Sequence, residues 1–419
     1  MENKVFIEHR KRILDQMENN SIFLIFSREK KESITNEKYN VNRNYYYASG
    51  VLEFGNIVVL SKINNKTSET IFINPYDEFK AKWVGAPLSK EKVIELSGLK
   101  DVRYLDSYES TLERLLQNIS NVYLDFENSS LKDVLTEEQV LANNITKHYP
   151  WVKILNGRKL FQNARTTKLP EEIAEMKKAI EITNKGLQAI LSNIGSMYEY
   201  QLESYFDQAI KFNGATGYAF PTIAASGINA TCLHYGDNDS IAKDGDLILF
   251  DLGASVNMYC ADISRTYPVS GKFTERQKQL YNIVLQGQQV VFDNAKPGIT
   301  TKELNDILVK YYQEELKKIG LIKEDKEVFN YYYHGVSHHM GLDCHDLCDY
   351  GPLKPGCIIS NEPGLYIKEE GIGIRIEDDV LITETGAEWL SPQIIKTVED
   401  IENFIAENKK WKLGKVILY

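Results

Sequence analysis

Short apolar runs alternate with helical stripes over the first 160 residues. Segments 21–27, 56–61, 70–74 and 121–125 are rich in β-branched and aromatic residues and predict strands. Segments 8–17, 107–117 and 131–147 carry apolar positions at helical spacing and predict helices between or after them. This alternation predicts an α/β layered N-terminal domain over residues 1–160. The polar stretch 156–168 reads as a boundary, after which Pro170 opens a long helix at its first turn, where its missing N–H costs nothing. Ile173, Met176, Ile180, Leu187, Ile190, Leu191 and Ile194 form that helix's apolar stripe, and Gly195 stops it. A second helix carries Leu202, Phe206 and Ile210 on one face. Capping boxes at Thr274 with Gln277 and Thr300 with Glu303 open two more, and Gly320 is a fitting end for the last. Strands predicted at 246–252, 257–267, 358–361 and 371–383 make the second half, residues 166–419, an α+β domain with antiparallel strands.

The 419 residues suffice for two or three domains, and 43% hydrophobic with 26% charged is ordinary for a globular chain. Lys and Arg number 49 against 59 Asp and Glu, a net charge of −10 that argues against a nucleic-acid partner. The apolar runs 22–26 and 247–250 fall well short of the ~18 residues a membrane span needs. Charges at Glu2, Lys4, Glu8, Arg10, Lys11 and Arg12 stand where a signal peptide would be apolar, so a cytoplasmic protein is expected. Five cysteines (Cys232, Cys260, Cys344, Cys348 and Cys357) argue against a disulfide scaffold. Cys344 and Cys348 flank His345 as in a zinc knuckle, but a structural zinc site needs four ligands and no second pair exists. These cysteines are therefore read as reduced packing residues. His9 and His148 are isolated and read as inert surface histidines.

Five of the seven histidines, His234, His334, His338, His339 and His345, lie in the second half. There Asp251 ends the apolar run Leu247-Ile248-Leu249-Phe250, where a charge is costly unless paired or metal-bound. Asp262 follows eleven residues later. A hairpin turning near Val256-Asn257 sets the two carboxylates directly opposite, and a cation is the usual remedy for such a pair. A turn-capping Asp251 and a solvated Asp262 fit the same pattern. In Gly371-Ile372-Gly373-Ile374-Arg375-Ile376-Glu377, period-two alternation puts Gly373, Arg375 and Glu377 on one face, aimed at a site or forming an ion pair in solvent. Glu362 precedes a Pro-Gly turn and His338 lies in a histidine-rich loop. Singly, each also fits a structural role.

Taken in order, Asp251, Asp262, His338, Glu362 and Glu377 resemble the five ligands of the pita-bread metallopeptidases, the family of aminopeptidase P, prolidase and methionine aminopeptidase. The likeness rests on Phe250-Asp251-Leu252-Gly253-Ala254, Ala261-Asp262-Ile263-Ser264-Arg265-Thr266, His334-Gly335-Val336-Ser337-His338, Leu342-Asp343-Cys344-His345-Asp346, Asn361-Glu362-Pro363-Gly364-Leu365-Tyr366-Ile367 and the 371–378 stretch. It spans roughly residues 166–400. Residues 1–160 look more loosely like the creatinase/prolidase-like N-terminal domain that accompanies aminopeptidase P, through Tyr45-Tyr46-Tyr47-Ala48-Ser49-Gly50 and Trp83-Val84-Gly85. The implied fold is an α/β N-terminal domain plus an α+β pita-bread catalytic domain.

The resemblance is nearest to Xaa-Pro aminopeptidase, with prolidase next. It implies a metal-dependent hydrolase that cuts between an N-terminal residue and a following proline, with a metal-bridging hydroxide as nucleophile. Four carboxylates and one imidazole carry a formal −4, which two divalent ions would neutralise. Hard oxygen ligands suit manganese, with cobalt, zinc or iron compatible. By resemblance Asp262 and Glu377 bridge the ions, Asp251 holds one, and His338 and Glu362 hold the other. Glu362 also shuttles the proton. His234, His334 and His345 would donate hydrogen bonds to the peptide, and Arg375 and Tyr366 would orient Glu377 and the water network. His339 departs from the bulky aromatic often found at its position and receives no role. Trp83 matches a tryptophan that reaches a neighbouring subunit's site in bacterial aminopeptidase P, and a homodimer or homotetramer is expected. The expected partners are peptides with proline second, with neither nucleic acid nor membrane.

Other readings are weaker. Creatinase-like hydrolysis without metal gives no reason to hold all five ligands. A catalytically dead binding module predicts lost ligands or a long charged tail, whereas this chain ends in an amphipathic segment, 397–405, and a short Lys409-Lys410-Trp411-Lys412 tail. Gly371-Ile372-Gly373 lacks the third glycine and helix start of a dinucleotide fingerprint.

Overall fold

The uninterrupted apolar run 22–26 is explained by its place in the computed structural model, where strand β1 (Ser21–Phe26) is buried at all 6 positions. The structure describes residues 1–28, 37–127 and 132–408, and the chain separates into two compact units, Met1–Arg165 and Thr166–Tyr419. In the first unit β1 lies inside a mixed sheet with β2 (Ile57–Ile63), β3 (Lys66–Ile73), β4 (Asp101–Tyr104), β5 (Asn121–Leu124) and β6 (Lys153–Asn156), in the order β4-β3-β2-β1-β5-β6. It pairs antiparallel with β2 and parallel with β5. Both faces are covered. Ile22, Leu24 and Phe26 join Val59, Phe72, Leu112 and Ile145 on one side, while Phe23 meets Phe161 at 5.2 Å on the other.

Strands β4 and β6 are too short and polar to carry a periodic signal. The helix Arg43–Ser49 was also unread. Its three tyrosines look β-like, but Asn42 caps the helix by accepting from the N–H groups of Asn44 and Tyr45. His9 is no surface residue. It is buried, stacked on Tyr47 at 3.7 Å, with Nδ1 2.9 Å from the Tyr47 carbonyl. The helix expected over 131–147 runs Glu137–His148 behind a Thr136/Gln139 capping box, and residue 131 lies outside the described residues.

In the second unit the helices Pro170–Asn193, Glu199–Phe212, Glu275–Asn294 and Thr301–Lys318 form where the apolar stripes and capping boxes predict. Among the described residues its strands pair antiparallel. Two expected long strands are each broken in two. Segment 257–267 becomes Tyr259–Cys260 and Ile263–Pro268, which belong to different sheets. Segment 371–383 becomes Ile372–Arg375, paired with Gly364–Ile367, and Asp378–Ile382, paired with Ile358–Asn361. The breaks fall next to Asp262 and at Glu377. The C-terminal amphipathic segment forms the helix Val398–Asn408 with Ile401 and Ile405 buried. The Lys409–Lys412 tail lies outside the described residues. Among the described residues no helix is long and apolar enough to cross a membrane.

Candidate active site

The expected pairing of Asp251 with Asp262 is displaced by two residues. Asp251 faces Ser264, Leu252 faces Ile263, and the turn is made by Asn257 and Met258, with φ of 48° and 71°. A shift of two keeps the face, so the carboxylates are diagonal neighbours rather than a direct pair. Gly253 permits this arrangement. Any side chain there would collide with the Ala261 carbonyl as the ribbon passes from one sheet to the next.

The structure brings all five candidate ligands to one place. Donor atoms of Asp262, His338 and Glu377 lie within 4.8 Å of one another. His338 Nε2 is 3.4 Å from Asp262 Oδ2, 3.5 Å from Glu362 Oε1 and 3.9 Å from Glu377 Oε1. Its Nδ1 is 3.2 Å from the His339 carbonyl, the geometry of a donated bond that directs Nε2 at the carboxylates. Asp251 joins through Arg375, whose Nη2 donates to Oδ2 at 2.7 Å. The other oxygen of Asp251, Oδ1, is buried without a hydrogen-bond partner. A buried carboxylate oxygen in that state is what a cation would satisfy, and the donor set, four carboxylates with one imidazole, fits a divalent ion.

Proton affinities tell the same story. Burial, opposed by Arg375 and reinforced by Asp262, raises Asp251 to about 6. Burial raises Glu362 to about 7, and burial with Asp262 holds Glu377 well above the usual carboxylate range. His338 is pushed up to about 9, because Asp262 and Glu362 outweigh its burial. Without cations the cluster therefore retains protons that the unfolded chain releases near pH 4, and the stability these carboxyls contribute falls as pH rises from about 4 to about 7. Metal must displace those protons. We expect the melting-temperature gain from added manganese to be larger at about pH 8 than at about pH 5.5. A gain that shrinks with rising pH would contradict this.

Behind the candidate ligands, alternation along Ile263–Pro268 divides the work. Ser264 Oγ, on the site face, donates to Glu377 Oε2 at 2.7 Å and accepts from Arg375 Nε at 2.8 Å. Arg375 Nη1 donates to the Tyr366 hydroxyl at 3.1 Å. Arg375 thus grips Asp251 directly and reaches Glu377 through Ser264, a relay the alternation argument did not contain. On the opposite face Arg265 is fully buried, donating to Asp378 Oδ1 at 2.7 Å and to the Glu377 carbonyl at 2.6 Å. Asp378 also receives Ser391, Gln288 and Lys396. Burial would raise its pKa, but Arg265 and Lys396 hold it below the ordinary value. Arg265→Ala leaves Asp378 with Lys396 as its remaining cation but removes its fully buried partner and the donor to the Glu377 carbonyl, and a loss of about 3–5 kcal/mol of stability is expected in urea unfolding. A loss under ~1 kcal/mol would mean that Lys396, Ser391 and Gln288 satisfy Asp378 without Arg265.

The remaining histidines divide. His334 Nε2 lies 2.8 Å from the Tyr366 hydroxyl and Nδ1 2.8 Å from the Gly335 carbonyl, so its ring is already engaged. Burial and Arg375 lower its pKa to about 4. His345 stacks on His338, with centroids 4.0 Å apart and planes at 15°. His234 lies on an exposed loop, and its charge is felt by both His334 and His345. His339 is buried beside the Lys168–Asp346 ion pair, 2.9 Å long, which sits under the loop bearing His345. Cys348 and Cys357 are buried as packing residues should be, but Cys344 is not one of them. Its Sγ donates to Asp262 Oδ2 at 2.7 Å, and burial with Asp262 pushes the thiol's pKa up. Sequence reasoning gave no role to Ser264, Arg265, Asp378 or Lys168. Arg265 and Asp378 did carry a signal, as charges within stretches expected to be strands.

Known proteins bear on this geometry. A family model for metallopeptidase family M24 matches residues 174–384, and one for the aminopeptidase P N-terminal domain matches residues 6–123. The chain is 31% identical to a Xaa-Pro aminopeptidase of Haemophilus influenzae, with 96% of each chain covered. A structure of a putative aminopeptidase P from Bacillus anthracis superimposes with TM-score 0.95 at 42% identity, covering 98% of this chain and 100% of that one. Aminopeptidase P from E. coli with the inhibitor Pro-Leu gives 0.89 at 30% identity over the same shares.

Proposed function

Because the chain belongs to metallopeptidase family M24, we propose that it is a two-metal Xaa-Pro aminopeptidase, which releases the residue preceding a proline at the start of a peptide. The observation that carries this reading is the convergence of Asp251, Asp262, His338, Glu362 and Glu377 on one face, with a buried carboxylate oxygen of Asp251 left unpartnered. These five residues would hold the ions, Asp262 and Glu377 contributing to both. Their hard oxygen donors favour manganese. When bound, divalent ions acidify water and polarise a peptide carbonyl.

The protein's own groups do the rest. Glu362, raised to about 7, is poised to take a proton near neutral pH and return it to the leaving amine. His345 and His234 stand at the exposed edge and would donate to the peptide. His334, neutral and 3.8 Å from Glu362, would do so by releasing its Nδ1–H bond to the Gly335 carbonyl. Arg375, Tyr366 and Ser264 hold Asp251 and Glu377 in place before substrate arrives. The exposed thiol of Cys232 is consistent with a cytoplasmic setting. Self-association as a dimer or tetramer has support in Trp83, 76% exposed beside Phe79 on a helix with no buried residue.

The test compares an Xaa-Pro dipeptide with longer peptides that begin Xaa-Pro. The expected result is turnover of the longer peptides with a kcat/KM at least about tenfold above that for the dipeptide. Near-exclusive dipeptide hydrolysis would reject this reading in favour of prolidase.

A further inference from the structure

The cysteine set aside as a packing residue lies among the active-site ligands. Ligand atoms of Cys344, His338 and His345 lie within 4.8 Å of one another, a trio separate from Asp262, His338 and Glu377 but sharing His338 with it. Cys344 and His345 are consecutive and both turn toward His338, whose ring lies nearly parallel to that of His345. Cys348, the other flank of the zinc-knuckle pattern, takes no part in the trio.

The two overlapping donor sets differ in character. The carboxylates suit a hard ion, whereas one sulfur and two imidazole nitrogens make the three-ligand set of a zinc site with an open position. His338 cannot serve both at once with a single Nε2, because its Nδ1 faces the His339 carbonyl. We propose that Cys344, His345 and His338 form a distinct site for a thiophilic divalent cation, zinc or cadmium, and that filling it withdraws His338 from the productive ligands and inhibits the enzyme. On binding, the S–H bond of Cys344 breaks, a sulfur–metal bond forms, and the proton leaves to solvent. No electrons are exchanged. The inhibitory consequence rests on the proposed function, whereas the binding does not.

The test uses the manganese-loaded full chain carrying Cys232→Ser, which removes the exposed thiol, titrated with cadmium chloride. Two readouts are followed: the ultraviolet sulfur-to-cadmium charge-transfer absorption, and peptidase activity relative to each variant's own manganese-only rate. The band is expected to grow in proportion to loss of activity. Adding Cys344→Ser should abolish the band and raise the cadmium needed for half-inhibition by roughly 10- to 100-fold. A band that persists in Cys344→Ser, or inhibition unchanged by it, would overturn the site. A Cys344-dependent band without inhibition would overturn the competition for His338. Absence of manganese-supported activity before any cadmium is added would instead count against the proposed function, and the band would still decide the site.

Discussion

Asp262→Ala is expected to lower kcat/KM by about 10³-fold or more, and excess manganese is not expected to restore it. Asp262 is buried where His338, Glu377 and Cys344 converge, and its main-chain N–H is turned toward Asp379. Alanine removes a buried carboxylate that adjoins all three side chains, and no solvent-borne group of fixed geometry replaces it. Metal content measured by mass spectrometry after dialysis should fall in parallel. Recovery of wild-type turnover at high manganese would show that Asp262 affects affinity alone. The same logic makes chelation abolish activity and manganese or cobalt restore it.

The second large effect is on proton transfer. Glu362→Gln keeps the size of the side chain and the backbone bond from Glu362 N–H to the Val336 carbonyl, but it removes the group whose proton affinity sits near neutrality. A fall in kcat of about 10²- to 10⁴-fold is expected, with KM for the peptide changed far less. The pH profile supplies the check. The limb that reports Glu362 should be lost from kcat/KM in the variant. If the variant loses activity only through weakened metal binding, excess manganese will restore kcat and the proton-transfer role falls.

Much of this was legible in the chain, for identifiable reasons. Helices announced themselves through stripes and caps, as at Pro170 and Thr274, because those signals are local. The five candidate ligands were legible as a set only through the family resemblance; of them Asp251 also drew notice physically, as a carboxylate ending a buried strand, although a turn cap fitted it as well. Register was not legible. Whether Asp251 faces Asp262 or Ser264 depends on a turn at Asn257-Met258 and on the close passage of Gly253 past Ala261, both of which are tertiary facts. The division of 371–383 between two sheets was hidden for the same reason, since the alternation of 372–377 ends at Asp378-Asp379 without showing which strand each half will pair with. The ion pair of Arg265 with Asp378 and the contact of Cys344 with Asp262 join residues 113 and 82 positions apart, and no periodicity encodes such pairings.

The central claim is that cations hold the five second-half ligands together. Anomalous diffraction from crystals grown with manganese, recorded on both sides of its absorption edge, tests this most directly. Two peaks about 3.5–4 Å apart are predicted, bounded by Asp251, Asp262, His338, Glu362 and Glu377. A map with no manganese signal among those side chains, from crystals of active protein, would contradict the account.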